Sequence, residues 1–195
     1  MADFVATISS RWTAEETFSY LADFSNAERW DPGVLTAERL AGPQDDHQAS
    51  ARVNGHDDGP VRVGSRFRLL VPFFGRRLAL VYRVTAISRR HSVEHQDVTF
   101  TARHPLLLAR DRMTVRSNEP VSLDSVVTYQ AEVSLRGPLR FLDPLLSRGF
   151  AGLGQRAANG LAEILQTELP ESHPSPRSPE PPECFRLPDQ PRPAS

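Results

Sequence analysis

Over residues 127–135 apolar and polar side chains alternate one for one. Val127, Tyr129, Ala131, Val133 and Leu135 share one face, and Thr128, Gln130, Glu132 and Ser134 the other, which predicts a strand with one covered and one wetted face. The period changes at Gly137-Pro138. Proline can open a helix but cannot continue a central strand. Beyond it Leu142, Leu145, Leu146, Phe150, Leu153, Ala157, Leu161, Ile164 and Leu165 recur mostly at gaps of three and four, the stripe of one long amphipathic helix. Gly149, Gly152, Gly154 and Gly160 fall in or beside it. Each costs up to about 1 kcal/mol of helix propensity relative to alanine, so each implies either close packing or a bend, or room left beside the helix for a ligand.

The same reading orders the rest of the chain. Residues 3–10 alternate, with Phe4, Ala6 and Ile8 opposite Asp3, Val5 and Thr7. Thr13 and Glu16 form a capping-box pair ahead of a helix whose apolar face is Ala14, Phe18, Leu21 and Ala22. Trp30-Asp31-Pro32-Gly33 is a turn sequence, and a strand is expected from Val34 to about Leu40. Residues 42–60 are polar and aperiodic and read as a long surface loop. From Val61 strands follow one another. Phe67, Leu69 and Val71 alternate with Arg66 and Arg68; Leu78, Leu80, Tyr82 and Val84 with Arg83; the stretch from Val93 to His104 is less regular; and Asp111, Met113 and Val115 alternate with Arg110, Arg112, Thr114 and Arg116. The order is strand, helix, about six strands, helix. A sheet with one apolar face over so many strands curves around its cover, and the last helix is the element long enough to be that cover.

Composition marks where this domain ends. The last 26 residues hold 9 of the 17 prolines and lack apolar periodicity, so the chain divides into a folded domain, 1–169, and a disordered tail, 170–195. The tail's Pro-x-x-Pro spacings are of the kind that docks in aromatic grooves, and they also arise by chance in any proline-rich segment. Removing the tail's charges leaves the body with 20 residues of each sign, so no global field draws it to nucleic acid. Cys184, the one cysteine, lies in the tail, which excludes a disulfide framework and fits a reducing, cytoplasmic setting. No apolar run is long enough for a secretory leader or a spanning helix.

Three segments carry a resemblance: VATISSRWTAEETFSYLADFSNAERWDPGV, GPVRVGSRFRLLVPFFGRRLALVYRV, and TYQAEVSLRGPLRFLDPLLSRGFAGLGQRAANGLAEIL. Over roughly residues 3–168 the chain resembles the START-like or helix-grip (SRPBCC) superfamily, and within it the bacterial polyketide cyclase/dehydrase and lipid-transport group. The resemblance implies an α+β helix-grip fold. In it a curved antiparallel sheet of six to seven strands wraps a long C-terminal helix, with a hydrophobic cavity between them. Members hold an apolar ligand there, and some transform it. The 44–60 loop and the proline-rich tail depart from the pattern.

Polar residues on the covered face are the candidates for chemistry, because buried polar groups need partners: Tyr82, His104, Asp111 and Tyr129. The cavity is expected to be lined by Trp30, Phe67, Leu69, Leu80, Tyr82, Val84, Phe100, Met113, Val127, Tyr129, Phe150 and Leu153, a mainly apolar set with a few polar groups, the usual form of a small-molecule site. A cyclase would need a base, His104 or Asp111, and a donor to an enolate, Tyr82 or Tyr129. Against this, His104 precedes Pro105, where strands end, Asp111 sits between Arg110 and Arg112, and the tyrosines suit core rims. Trp30 suits core packing as well as ligand contact. The hairpin tip Phe73, Phe74, Arg76 and Arg77 has the composition of a transient membrane contact, or of an ordinary hairpin with its phenylalanines folded inward. Asp45-Asp46-His47, His56-Asp57-Asp58, His91 and His95 have metal-ligand types, but no spacing sets three on one rigid element, and neither a metal nor a cofactor is expected.

Overall fold

The computed structural model describes residues 1–41, 59–73, 75–89, 95–117, 124–137 and 143–167, with side chains of the last segment from residue 149 onward. The 42–58 stretch with its Asp/His pairs, Phe74, His91, the side chains of Leu142, Leu145 and Leu146, and the proline-rich tail lie outside the described residues.

Seven strands form one sheet: β1 (Ala2–Ser10), β2 (Thr36–Leu40), β3 (Arg66–Phe73), β4 (Arg76–Arg89), β5 (His95–Arg103), β6 (Leu107–Ser117) and β7 (Ser125–Leu135). Their order is β1-β7-β6-β5-β4-β3-β2, with every pair antiparallel. This meander follows from the alternation, since a register that pairs Phe67 with Tyr82, Val84 with Phe100 and Met113 with Tyr129 puts every apolar row on one face. The covered residues Phe67, Val84, Phe100, Met113 and Val127 are fully buried.

Two helical layers cover that face. Helix α1 (Ala14–Ala22) begins at the expected capping box: the Thr13 side chain accepts from the Glu16 N–H, and Glu16 Oε2 accepts from the Thr13 N–H at 3.0 Å. A short 3-10 turn, Phe24–Asn26, and α2 (Ala27–Trp30) complete the first layer. Its anchor is Phe24, whose ring stacks on Phe100 at 4.2 Å between centroids and meets Tyr82 and Phe67 edge-on at 5.1 and 6.3 Å. The second layer is α3 (Asp143–Gln166), packed mainly over β1. The cover is therefore shared: the long helix takes the β1–β7 side, and the 14–30 segment takes the β3–β6 side.

The two ends of α3 differ. At its C-terminal end the Arg11 N–H donates to the Leu165 carbonyl at 2.9 Å, Trp12 Nε1 to the Thr167 carbonyl at 2.7 Å, and Gln166 Nε2 to the Ser9 carbonyl at 2.9 Å. Ala157, Ala158, Leu161 and Leu165 are buried, whereas Leu153, one N-terminal turn away, is 42 % exposed. The helix is pinned at its C-terminal end and exposed at Gly149, Gly152 and Leu153.

Candidate functional site

A cleft of about 170 Å³ lies under the open half of α3, between that helix, the β3–β4 hairpin, the concave side of β6 and β7, and the turn after α2. Small side chains leave the space. Ala109 on β6, Ala131 on β7, and Gly154 and Ala157 on α3 all line it, at inward positions that larger residues fill elsewhere on the sheet. Leu80, Phe73, Phe150 and Leu153 are among the larger apolar walls, joined by four polar groups: Tyr82, Asp111, Tyr129 and Asp31.

The register explains how three of the four meet. Asp111 pairs with Ala131, and Tyr129 pairs with Met113, so Asp111 and Tyr129 are diagonal neighbours on adjacent strands, within reach of an aromatic side chain. The Tyr129 hydroxyl donates to Asp111 Oδ1 at 3.0 Å. Tyr82 is two strands away, but the position paired with it on β5 is Ala102, which in turn pairs with Ala109 on β6. Two alanines leave its ring a path across the sheet, and its hydroxyl hydrogen-bonds the same carboxyl.

Burial dominates the electrostatics. It lifts the Asp111 carboxyl from 3.8 to about 7 because a charge there loses its hydration. Hydrogen bonds from Tyr129 and Tyr82 oppose the rise, and the negative charges of Asp31 and Glu132 add to it. Burial, with Asp111 beside them, also raises both tyrosines well above their ordinary value, so both hydroxyls stay protonated and donate. Asp31 is raised as well, first by burial; the Gly33 N–H, which donates to its Oδ1 at 2.7 Å, and the Arg156 guanidinium pull the other way. A side chain at residue 33 would press on that carboxylate, at 3.0 Å from Cβ to Oδ1, so glycine permits the turn to close.

The structure divides the sequence-derived residues into two groups. Leu80, Tyr82, Asp111, Tyr129, Phe150 and Leu153 line the cleft together. Trp30, Phe67, Leu69, Val84, Phe100, Met113 and Val127 do not: all are buried core, and Phe24 fills the space in front of Phe67 and Phe100. Trp30 sits beside Phe24 and meets Tyr129 edge-on at 5.8 Å. His104 is also displaced from the role considered for it. It closes the β5–β6 turn, its backbone bonded to Leu107 and its Nδ1 accepting from the Leu106 N–H at 3.2 Å, and it does not reach the cleft. Phe73 faces the cleft, while Arg76 and Arg77 are exposed at the tip.

The helix glycines also divide. A Cβ on Gly154 would overlap the Phe4 ring, and one on Gly160 the Trp30 carbonyl, whereas Gly149 and Gly152 face open solvent. Two of the four are close-packing glycines, and the space beside the other two is not the cavity. Asp31 and Phe24 were not singled out from the sequence; the signal for Asp31 was its place in the Trp-Asp-Pro-Gly turn, next to a tryptophan expected to line the cavity.

Residues 1–166 match the sequence profile described as polyketide cyclase/dehydrase and lipid transport. No curated protein matches the chain by sequence. Solved structures share the fold. A START superfamily protein from Mycobacterium smegmatis superposes with a TM-score of 0.59 at 16% identity, covering 85% of this chain and 97% of its own. A STAR-related lipid transfer protein from Xanthomonas axonopodis gives 0.57 at 16%, over 84% and 85%. A hypothetical protein from Helicobacter pylori gives 0.56 at 11%, over 85% and 87%. The sheet with its C-terminal helix is the helix-grip arrangement of these START-like neighbours, and among the described residues no helix is long and apolar enough to cross a membrane.

Proposed function

The chain belongs to the polyketide cyclase/dehydrase and lipid transport family, and from that premise we propose that it carries or sequesters a small apolar molecule under the open half of α3, in the cytoplasm. The molecule's polar group is set against Asp111, Tyr82 and Tyr129. The observation behind this reading is the convergence of three buried polar groups at one wall of an otherwise apolar cleft, the form in which small-molecule sites orient a ligand. Size limits what enters. About 170 Å³ is near the roughly 150 Å³ cavity that accepts a benzene ring, so the cleft encloses one ring or a short branched chain, and a second ring or a longer chain extends out past Leu153.

The test is a titration with 2-naphthol, an apolar ring system with one hydroxyl, followed by tyrosine fluorescence and amide chemical shifts. Wild type is expected to bind saturably. Ala131→Leu grows into the cleft without disturbing the sheet and is expected to abolish uptake. Undiminished binding in that variant would put the ligand elsewhere and overturn the reading.

A second reading, catalysis, is favoured by one observation: a carboxyl at about 7 held between two phenols, poised to take and return a proton at neutral pH. In a dehydration of a β-hydroxy ketone, Asp111 would remove the proton from the carbon next to the carbonyl while a tyrosine hydroxyl bonds the enolate oxygen. The β-hydroxide would then leave with that proton as water. A β-hydroxy ketone probe tests it by mass: loss of one water in the presence of wild type but not of Asp111→Asn supports catalysis, and an unchanged probe refutes it for this substrate class.

A further inference from the structure

The outward face of the same strands carries a second arrangement, unrelated to the cleft. One cross-strand row runs Arg66 on β3, Arg83 on β4, Thr101 on β5, Arg110 on β6, Glu132 on β7 and Asp3 on β1. Arg66 and Arg83 are direct partners, and like charges at that spacing, about 5 Å between Cβ atoms, are destabilising. Arg103 stands two residues beyond Thr101 on the same face.

Glu132, the cross-strand partner of Arg110, lines the smaller depression beside it, and two further carboxylates near the row are engaged elsewhere. Glu38 pairs with Arg68 at 2.8 Å and Asp97 with Arg112 at 2.8 Å. Among the described residues, no ion pair engages Arg66, Arg83, Arg103 or Arg110. Arg66 spends one guanidinium nitrogen on the Ala41 carbonyl at 2.8 Å, while its Nε is buried without a partner.

The surface here is hollow. Two depressions, of about 680 and about 430 Å³, adjoin across Thr85, Thr101 and Arg103. The hollow follows from a bulge in β4 between Val84 and Ala86, which bends the strand and turns Thr85 outward, its hydroxyl 3.3 Å from that of Thr101. Val63 and Val81, 55% and 44% exposed, wall one side.

The geometry points to a binding site in this trough for a small organic diphosphate, with its phosphates between Arg66, Arg83, Arg103 and Arg110 and its organic part against Val63 and Val81. Guanidinium groups bind phosphate through paired N–H donors, and an anion shared by Arg66 and Arg83 removes their repulsion. The volume suits one ligand, since small-molecule sites span about 300–1,000 Å³. A membrane surface or a nucleic acid fits less well, because the positive stretch ends at β6 and the row continues with Glu132 and Asp3.

Calorimetric titration with inorganic pyrophosphate and with ADP tests the site. Both are expected to bind saturably and competitively, ADP more tightly because only it reaches the valines. Arg83→Gln and Arg103→Gln should each weaken ADP binding about tenfold or more. Arg76→Gln, at the hairpin tip, should leave binding unchanged. Arg83→Gln should not lower the unfolding midpoint of the ligand-free protein, since it removes one of two facing like charges. Absence of saturable binding at millimolar ligand overturns the proposal, as does equal weakening by Arg76→Gln. So does adsorption to phosphatidylglycerol vesicles that Arg83→Gln reduces while soluble diphosphates fail to bind. Equal affinity for pyrophosphate and ADP overturns the part assigned to the valines.

Discussion

Replacing Asp111 by asparagine tests the electrostatics of the cleft directly. Burial raises this carboxyl from 3.8 to about 7, more than the Tyr129 and Tyr82 hydrogen bonds lower it. In the unfolded chain it ionises near 3.8. Between those values the folded chain keeps a proton that the unfolded chain has lost, so stability falls with rising pH. The contribution of the protonated form is whole below about pH 3.8 and is lost by about pH 7, where the folded carboxyl ionises too. At about 1.36 kcal/mol per unit, the loss is of order 4 kcal/mol and is an upper figure, since relaxation reduces it. Asparagine imitates the neutral acid, accepting from the Tyr129 hydroxyl and offering a donor to Tyr82, and does not titrate. Urea unfolding of both proteins between about pH 4 and pH 8 should find them close at the acid end. The variant's advantage should grow through the window and level off near ~4 kcal/mol above about pH 7. A difference of the same size at both ends, or a wild type that is the more stable at pH 8, would refute the argument.

The other consequences concern packing. Gly160→Ala drives a methyl group into the Trp30 carbonyl and should cost about 1–3 kcal/mol, whereas Gly152→Ala, in open solvent, should gain up to about 1 kcal/mol from helix propensity; chemical denaturation of the pair reads the opposite signs. Phe24→Ala should lower stability by about 3–5 kcal/mol, seen in the denaturation midpoint, yet leave 2-naphthol uptake intact, because the vacated space adjoins the cleft through Tyr82. Thr13→Ala removes the Thr13 hydroxyl's bonds to the Glu16 N–H and carboxylate, leaves the Glu16 bond to the residue-13 N–H, and should cost about 1 kcal/mol, with thermal unfolding as the measure.

The strands were legible because a two-residue period assigns faces without knowledge of the tertiary fold: Tyr82, Asp111 and Tyr129 were placed on the covered side by parity alone, and they meet. What parity does not give is depth. Whether a covered residue lines a cavity or fills one depends on the layer opposite. Here that layer includes Phe24, in a 3-10 turn of three residues too short to show a period. Its ring packs against Trp30, Phe67 and Phe100, so these three are core rather than cavity wall. Asp31 escaped notice for a related reason. Its side chain does what an aspartate in a turn does, accepting from the N–H two residues on, and the same orientation faces it toward the cleft. His104 failed differently: Pro105 ends the strand and the histidine becomes part of the turn.

The sheet offers an internal comparison for what burial of polar groups costs. Ser10, Thr17 and Ser125, all 2% exposed or less, bond one another at 2.9 and 3.0 Å between β1, α1 and β7. They are neutral and mutually satisfied, and they tie the first helical layer to the sheet at no electrostatic cost. Asp111 has the same degree of hydrogen bonding but a charge that its surroundings oppose. An asparagine at that position would keep the bonds to both tyrosines without the penalty. A buried carboxyl that its surroundings oppose, facing the cleft under α3 and within reach of two donors, supports the site proposed above. On the reading proposed above, the penalty is relieved when the ligand's polar group enters, so the pH dependence of Asp111 should weaken once 2-naphthol is bound.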